Sequence, residues 1–173
     1  MTVAAKPRPI ATPKVGGALA ACVGLACAAL LTPFVSGWES GGKQHLRAYK
    51  DIVGVWTVCD GDTYDVRPGM IETAEGCELR LDKQLTAHAK FVLACTPTLR
   101  GHDRQLAAAV SLAYNIGTGG YCRSTVARRF NAGNWRDACD AMLMWNKAGG
   151  RVVAGLTNRR RAERALCLQE LPA

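Results

Sequence analysis

Glu39, Asp51 and Thr57 are the residues of this chain whose types and spacing could do chemistry. They lie in the segment WESGGKQHLRAYKDIVGVWT, residues 38–57. Two carboxylates in unlike surroundings suit cleavage of a glycosidic bond. One must deliver a proton to the leaving oxygen, and the other must stay ionised beside developing positive charge or a water. Thr57 follows Asp51 by six residues, and its hydroxyl could hold that water. Taken singly, each residue is ordinary: a solvated helix-end glutamate, a turn aspartate, a strand threonine. Only the arrangement carries information.

The elements that must position them are legible nearby. Thr32-Pro33 reads as a helix start, with Thr as N-cap and Pro at the first helical position. Gly41-Gly42 reads as the matching stop. Glu39 then ends a short helix, where the negative helix terminus and apolar neighbours such as Trp38 disfavour a carboxylate and favour a protonated acid. Strands are expected at 46–50 and 53–59, with Val53-Gly54 in the hairpin turn, and a third at 63–66 in and after the turn-rich CDGDT. Helices are expected at 73–94, 101–117, 122–132, 134–146 and 157–168. Leu106, Ala109, Val110, Ala113 and Ile116 recur at helical spacing and mark 101–117 as the buried central helix. The fold class is α+β: a small β-hairpin lobe and a larger helical lobe, with a cleft between them that suits a polymeric substrate.

Read together, these segments resemble the phage-type lysozymes, the endolysins of glycoside hydrolase family 24. The resemblance rests on Ala48-Tyr49-Lys50-Asp51, Ile52 through Cys59, Gly61 and Thr63. It continues through Arg67-Pro68-Gly69, Thr73 to Cys77, Leu112 to Gly117, Gly119 and Ser124-Thr125. It ends with Trp145 to Gly150, Gly155-Leu156, Arg159-Arg160 and Glu163, so it covers residues 38 to 170. The resemblance implies Glu39 as catalytic acid, Asp51 as catalytic aspartate and Thr57 as their threonine. It also implies hydrolysis of the β-1,4 bond between N-acetylmuramic acid and N-acetylglucosamine with inversion, needing no cofactor or metal. The chain departs from the family in one respect. Eleven residues separate Glu39 from Asp51, three more than usual, and the surplus is expected to loop out near Ser40-Gly41-Gly42. A lytic transglycosylase and a non-catalytic, membrane-tethered peptidoglycan-binding protein are the rival readings.

The N-terminus carries a second signal. Residues 1–38 contain no acid; Lys6, Arg8 and Lys14 precede an uncharged run of 24 residues, Val15 to Trp38. A basic flank and an apolar run of this length read as an export or membrane-insertion signal. A cleaved signal peptide, a permanent anchor and, by resemblance, a signal-anchor-release segment all fit. Gly16, Gly17, Gly24 and many alanines make the run weakly hydrophobic, which favours a span that inserts and later leaves. Leu19-Ala20-Ala21-Cys22 has lipobox letters, but too few apolar residues precede it. The expected division is residues 1–32 as basic terminus and signal anchor and 33–173 as the lysozyme-like catalytic domain. Expected partners are peptidoglycan, the host inner membrane and the export machinery. The expected location is the inner membrane facing the periplasm, then the periplasm after release, as a monomer.

Eight cysteines in 173 residues suit an exported protein. Cys22 and Cys27 fall in the uncharged run, where either could exchange with a domain cysteine as a redox lock on the tethered form. The other six allow fifteen pairings; the preferred set is Cys59–Cys77, Cys95–Cys122 and Cys139–Cys167. His45, His88 and His102 are scattered and read as ordinary surface or loop residues, and no Cys or His spacing supports zinc. The net charge is +8. Arg128-Arg129 and Arg159-Arg160-Arg161 read as solvated helix faces. Nothing resembles a nucleic-acid motif, and attraction to an anionic cell envelope accounts better for the charge.

Overall fold

The computed structural model describes residues 17–41, 43–51 and 53–172. The basic residues Lys6, Arg8 and Lys14, together with Gly42 and Ile52, lie outside the described residues. The uncharged run forms two helices, α1 (Gly17–Val23) and α2 (Leu25–Ser40), which meet at Gly24 with φ +88°. Only glycine holds that backbone without strain. Among the described residues no helix is long and apolar enough to cross a membrane.

The expected helix start at Thr32-Pro33 is corrected. Both residues lie inside α2, which begins eight residues before Pro33 and stops, as expected, at Gly41 in the left-handed conformation. Thr32 caps nothing; its hydroxyl is buried without a partner. An interior proline costs about 3 kcal/mol, and core burial upstream outweighs it. Cys27, Ala28 and Leu31 are fully buried, as is Val35 one turn on. Leu19 of α1 is buried too, and its N–H donates to Oδ1 of Asp82 at 3.2 Å.

An antiparallel hairpin follows, β1 (His45–Lys50) with β2 (Trp56–Cys59). Its register is irregular. Tyr49 faces Thr57 and His45 faces Cys59, so β1 spends four residues where β2 spends two. Between Glu39 and Asp51 the chain thus carries an irregularity in β1, and before it the Lys43 N–H donates back to the Ser40 carbonyl. The strand expected at 63–66 does not form; only single bridges, Val58 with Asp62 and Arg47 with Ile71, extend the pairing.

The helical lobe matches its expected order. Thr73 caps α3 (Ala74–Cys95), its hydroxyl accepting from the Gly76 N–H. The central helix is α4 (Asp103–Ile116); residues 105–113 are all buried, because α2, α3 and α8 (Ala154–Cys167) surround it. Between them lie α5 (Thr118–Cys122), α6 (Thr125–Asn131) and α7 (Trp135–Ala141). The helix expected to reach 146 ends early. A 3-10 turn at Met142–Met144 leads into a hairpin of β3 (Lys147–Ala148) and β4 (Arg151–Val152), turned by Gly149 and Gly150 at positive φ. The three expected cystines all form. They join β2 to the first turn of α3, α3 to α5, and α7 to α8. Cys22 and Cys27 are free.

Candidate active site

Glu39 occupies the last turn of α2. It does not face only a helix terminus and apolar neighbours, as the sequence suggested. Its Oε1 accepts from Arg159 Nη1 of α8 at 2.6 Å. The arginine is buried, while about a quarter of the glutamate side chain (24%) remains exposed.

Arg159 is itself held from behind. Its Nε reaches Glu163 Oε1 at 3.3 Å and its Nη2 donates to the Ser111 carbonyl at 3.4 Å. Glu163 is fully buried and also accepts from Ser111 Oγ at 2.8 Å and Arg160 Nη2 at 2.7 Å. Burial pushes the Glu163 carboxyl up, opposed by Arg160, Ser111 and Arg159. The reading of Arg159-Arg160-Arg161 as a solvated face is thus corrected. Arg159 and Arg160 are buried, and only Arg161 is exposed. The spacing held the signal: Glu163 follows Arg159 by four residues and Arg160 by three, the separations at which helical side chains meet.

Asp51 and Thr57 share the hairpin end. Asp51 Oδ1 accepts from the N–H groups of Val53 (3.0 Å) and Val55 (2.8 Å), and Gly54 at φ +85° completes the turn. Thr57 is buried, and its hydroxyl donates to the Val55 carbonyl at 3.1 Å. Val55 therefore fastens both residues, one by its N–H and the other by its carbonyl. Among the described residues nothing donates to Asp51 Oδ2, so one oxygen shapes the turn and the other is open for chemistry.

The structure thus joins Asp51 to Thr57 through Val55. Glu39 is joined to the helical lobe by Arg159, and its helix is tied to the hairpin where Ser36 Oγ donates to Asp60 Oδ1 at 3.0 Å. Tyr114 of α4 lies close by. Burial pushes its phenol up, and the charges of Glu39, Asp62 and Asp60 add to that. Sequence reasoning singled out neither Asp60 nor Tyr114 as part of the site. His88 packs at a tilt against Tyr114 with ring centres 5.0 Å apart, and His102 against Trp135 at 4.5 Å, so both are half-buried packing residues. An open groove of about 810 Å³ runs between loop 61–65 and one face of α3, but Glu39, Asp51 and Thr57 do not line it.

The family model described as phage lysozyme matches residues 39–163, beginning at Glu39. The chain belongs to the phage lysozyme family. It is a glycoside hydrolase of the lysozyme class. This phage lysozyme is 36% identical to the SAR-endolysin of Enterobacteria phage P21, over 90% of this chain and 96% of that one. It is similar in structure to a mutant of P22 lysozyme, with TM-score 0.68 and 33% identity over 79% of this chain and 95% of that one. It is also similar to an endolysin from Escherichia coli O157:H7 phage FAHEc1, with TM-score 0.66 and 30% identity over 83% and 94%.

Proposed function

We propose that this phage lysozyme acts as an endolysin muramidase on bacterial peptidoglycan, with Glu39, Asp51 and Thr57 as its catalytic residues. Glu39 gives its proton to the glycosidic oxygen as the bond to the anomeric carbon breaks. A water held by Thr57 attacks that carbon from the opposite face and yields its proton to Asp51. The anomeric centre inverts, and no covalent intermediate forms. The observation that carries this reading is the division of labour between the carboxylates. Glu39 is held at its head by a buried guanidinium, while Asp51 keeps one oxygen without a donor among the described residues and shares Val55 as an anchor with Thr57.

The enzyme is exported with residues 15–38 in the host inner membrane and becomes active in the periplasm on release. The weakly hydrophobic run and the SAR-endolysin relatives support this. So does the packing: Leu19, Cys27, Leu31 and Val35 are buried in the same core that seats Arg159's helix. While those residues lie in lipid, Glu39 cannot reach Arg159. Residues 1–32 serve export and 33–173 carry the catalytic domain, but after release Leu19 of α1 and Cys27 and Leu31 of α2 complete that domain's core, so both helices belong to both stages.

Mass spectrometry of fragments from purified peptidoglycan tests the chemistry. Hydrated reducing ends from the wild type and none from Glu39→Gln support the muramidase. Anhydro ends assign a lytic transglycosylase. Unaltered peptidoglycan binding by Glu39→Gln, with no fragments from either protein, assigns a non-catalytic binder. A membrane-held form that digests at the full rate overturns the release step.

A further inference from the structure

Asp60 is a buried carboxylate that the proposed reaction does not use. It directly follows β2, is 4% exposed, and both its oxygens are occupied. Oδ1 accepts from Ser36 Oγ at 3.0 Å, and Oδ2 accepts from Gln44 Nε2 at 3.3 Å. Ser36 stands three residues before Glu39 on α2, and Gln44 directly precedes β1. One side chain therefore links the helix end that carries Glu39 to the start and the finish of the hairpin that carries Asp51 and Thr57.

The link closes the mouth of the connection in which this chain is longer than its family. Lengthening a connection leaves its ends less determined relative to each other. Among the described residues between α2 and β1, Gly41 is left-handed and Lys43 N–H returns to the Ser40 carbonyl. Asp60 meets no cation among the ion pairs of the described residues. A buried carboxylate is tolerable there only because two neutral donors satisfy it. What such an arrangement supplies over apolar packing is direction.

The backbone aims it. Cys59 has φ +59°, an uncommon conformation for a residue with a side chain, and it turns the chain from β2 toward α2. Cys59 is bonded to Cys77 in the first turn of α3, which holds that turn in place.

We propose that Asp60 is a positioning residue. By clamping Ser36 and Gln44 it sets the helix end of Glu39 against the hairpin of Asp51 and Thr57. The proposal rests on the reading of Glu39 as the acid.

The test is steady-state hydrolysis of purified peptidoglycan by the released enzyme, with melting followed in parallel. Ser36→Ala removes one arm of the clamp. Asp60→Asn leaves a single acceptor oxygen where two donors converge, and Gln44→Glu sets carboxylate against carboxylate. The double variant Asp60→Asn/Gln44→Glu restores one donor facing one acceptor with polarity reversed. Each single change is expected to lower kcat about tenfold to a hundredfold while KM stays within about twofold, and the double variant is expected to recover most of the loss. Folded single variants with wild-type kcat, or a folded double variant that recovers nothing, overturn the clamp. Glu39→Gln in the same assay keeps the two readings apart. Its inactivity beside a fully active Asp60→Asn removes only the clamp, whereas its full activity removes the acid assignment and the clamp's purpose with it.

Discussion

Arg159 Nη1 lies 2.6 Å from Oε1 of Glu39, although 120 residues separate them in the chain. The contact places the end of α2 against α8 and joins the carboxylate proposed as the acid to a buried network of Arg159, Glu163, Arg160 and Ser111. Arg160 Nε is 2.7 Å from Glu163 Oε2 but too poorly aligned for a hydrogen bond, so Nη2 carries that pairing.

Removing the guanidinium should therefore cost activity and stability together. Arg159→Ala frees the head of Glu39 and takes one cation from a fully buried carboxylate. Misplacement of a catalytic group costs on the order of a hundredfold in rate, and breaking a buried pair costs about 3 kcal/mol. Arg159→Lys keeps the charge but not the fork and should fall between wild type and alanine. Rates on peptidoglycan and denaturant unfolding of both variants check this; a wild-type rate in Arg159→Ala refutes it.

The uncharged run is core in the folded enzyme, and Leu31→Ala should show it. Leu31 is fully buried among α2's contacts with the central helices. Its truncation is expected to cost about 2–5 kcal/mol, read as a lower unfolding midpoint at unchanged slope. A loss below 0.5 kcal/mol, roughly the effect of a surface change, would mean that the run does not pack in solution.

Much of this architecture was legible because its signals are local. The hairpin turn at Val53-Gly54, the stop at Gly41, the helix start near Thr73 and the apolar stripe of α4 each follow from residues a few positions apart. The preferred cystine pairing also formed. The start of α2 is not legible locally, because Pro33 is a strong start signal that burial of Leu19, Cys27 and Leu31 against distant helices overrides. Arg159 and Asp60 were missed for the same reason. Their partners stand 120 and 24 residues away, and no nearby pattern announces either contact.

The two free thiols should react very differently. Burial, then the charges of Asp103 and Cys22, pushes the Cys27 thiol from an ordinary 9.0 to about 12, while Cys22 is half-buried. Only the thiolate is nucleophilic, so at pH 8 alkylation of the folded, released enzyme should mark Cys22 and leave Cys27 unlabelled until denaturant is added. The raised value also fixes a sign. Folding is favoured by the protonated thiol, so this stability is intact below pH 9 and declines as pH rises toward 12. Equal labelling of both cysteines in the folded enzyme would contradict the packing of α2. A redox lock through Cys27 would have to act before release, while that thiol is not yet buried.

Acid should act through Glu72. The Arg80 guanidinium, and then the Thr73 N–H, hold its carboxyl below the ordinary value of 4.5. Arg80 Nε and Nη1 bridge Glu72 to Asp62 at 2.8 Å each, tying the loop after β2 to the helix start. A lowered carboxyl contributes stability above the unfolded value and loses it as pH falls through the folded one. Glu72→Gln should therefore lower the melting temperature at pH 7, and its difference from wild type should close as the pH is taken below 4.5. A difference that is constant across that range would show that the pair's charge contributes nothing.

The cystines should separate stability from activity. Cys59–Cys77 and Cys139–Cys167 span 18 and 28 residues, and loop-closure entropy grows only with the logarithm of that length. Loss of either should therefore cost a similar amount, about 3 kcal/mol. Their positions differ. Cys139–Cys167 staples α7 to the end of α8, whereas Cys59 holds the left-handed turn that delivers Asp60 to Ser36 and Gln44. Paired alanine variants, assayed well below their melting temperatures so that both are folded, should diverge. The pair at 139 and 167 should hydrolyse peptidoglycan at close to the wild-type kcat, and the pair at 59 and 77 should show the reduced kcat of a broken clamp with KM little changed. Equal activity in the two would make the first cystine a staple like the others, and would leave the aim of Asp60 to the strand alone.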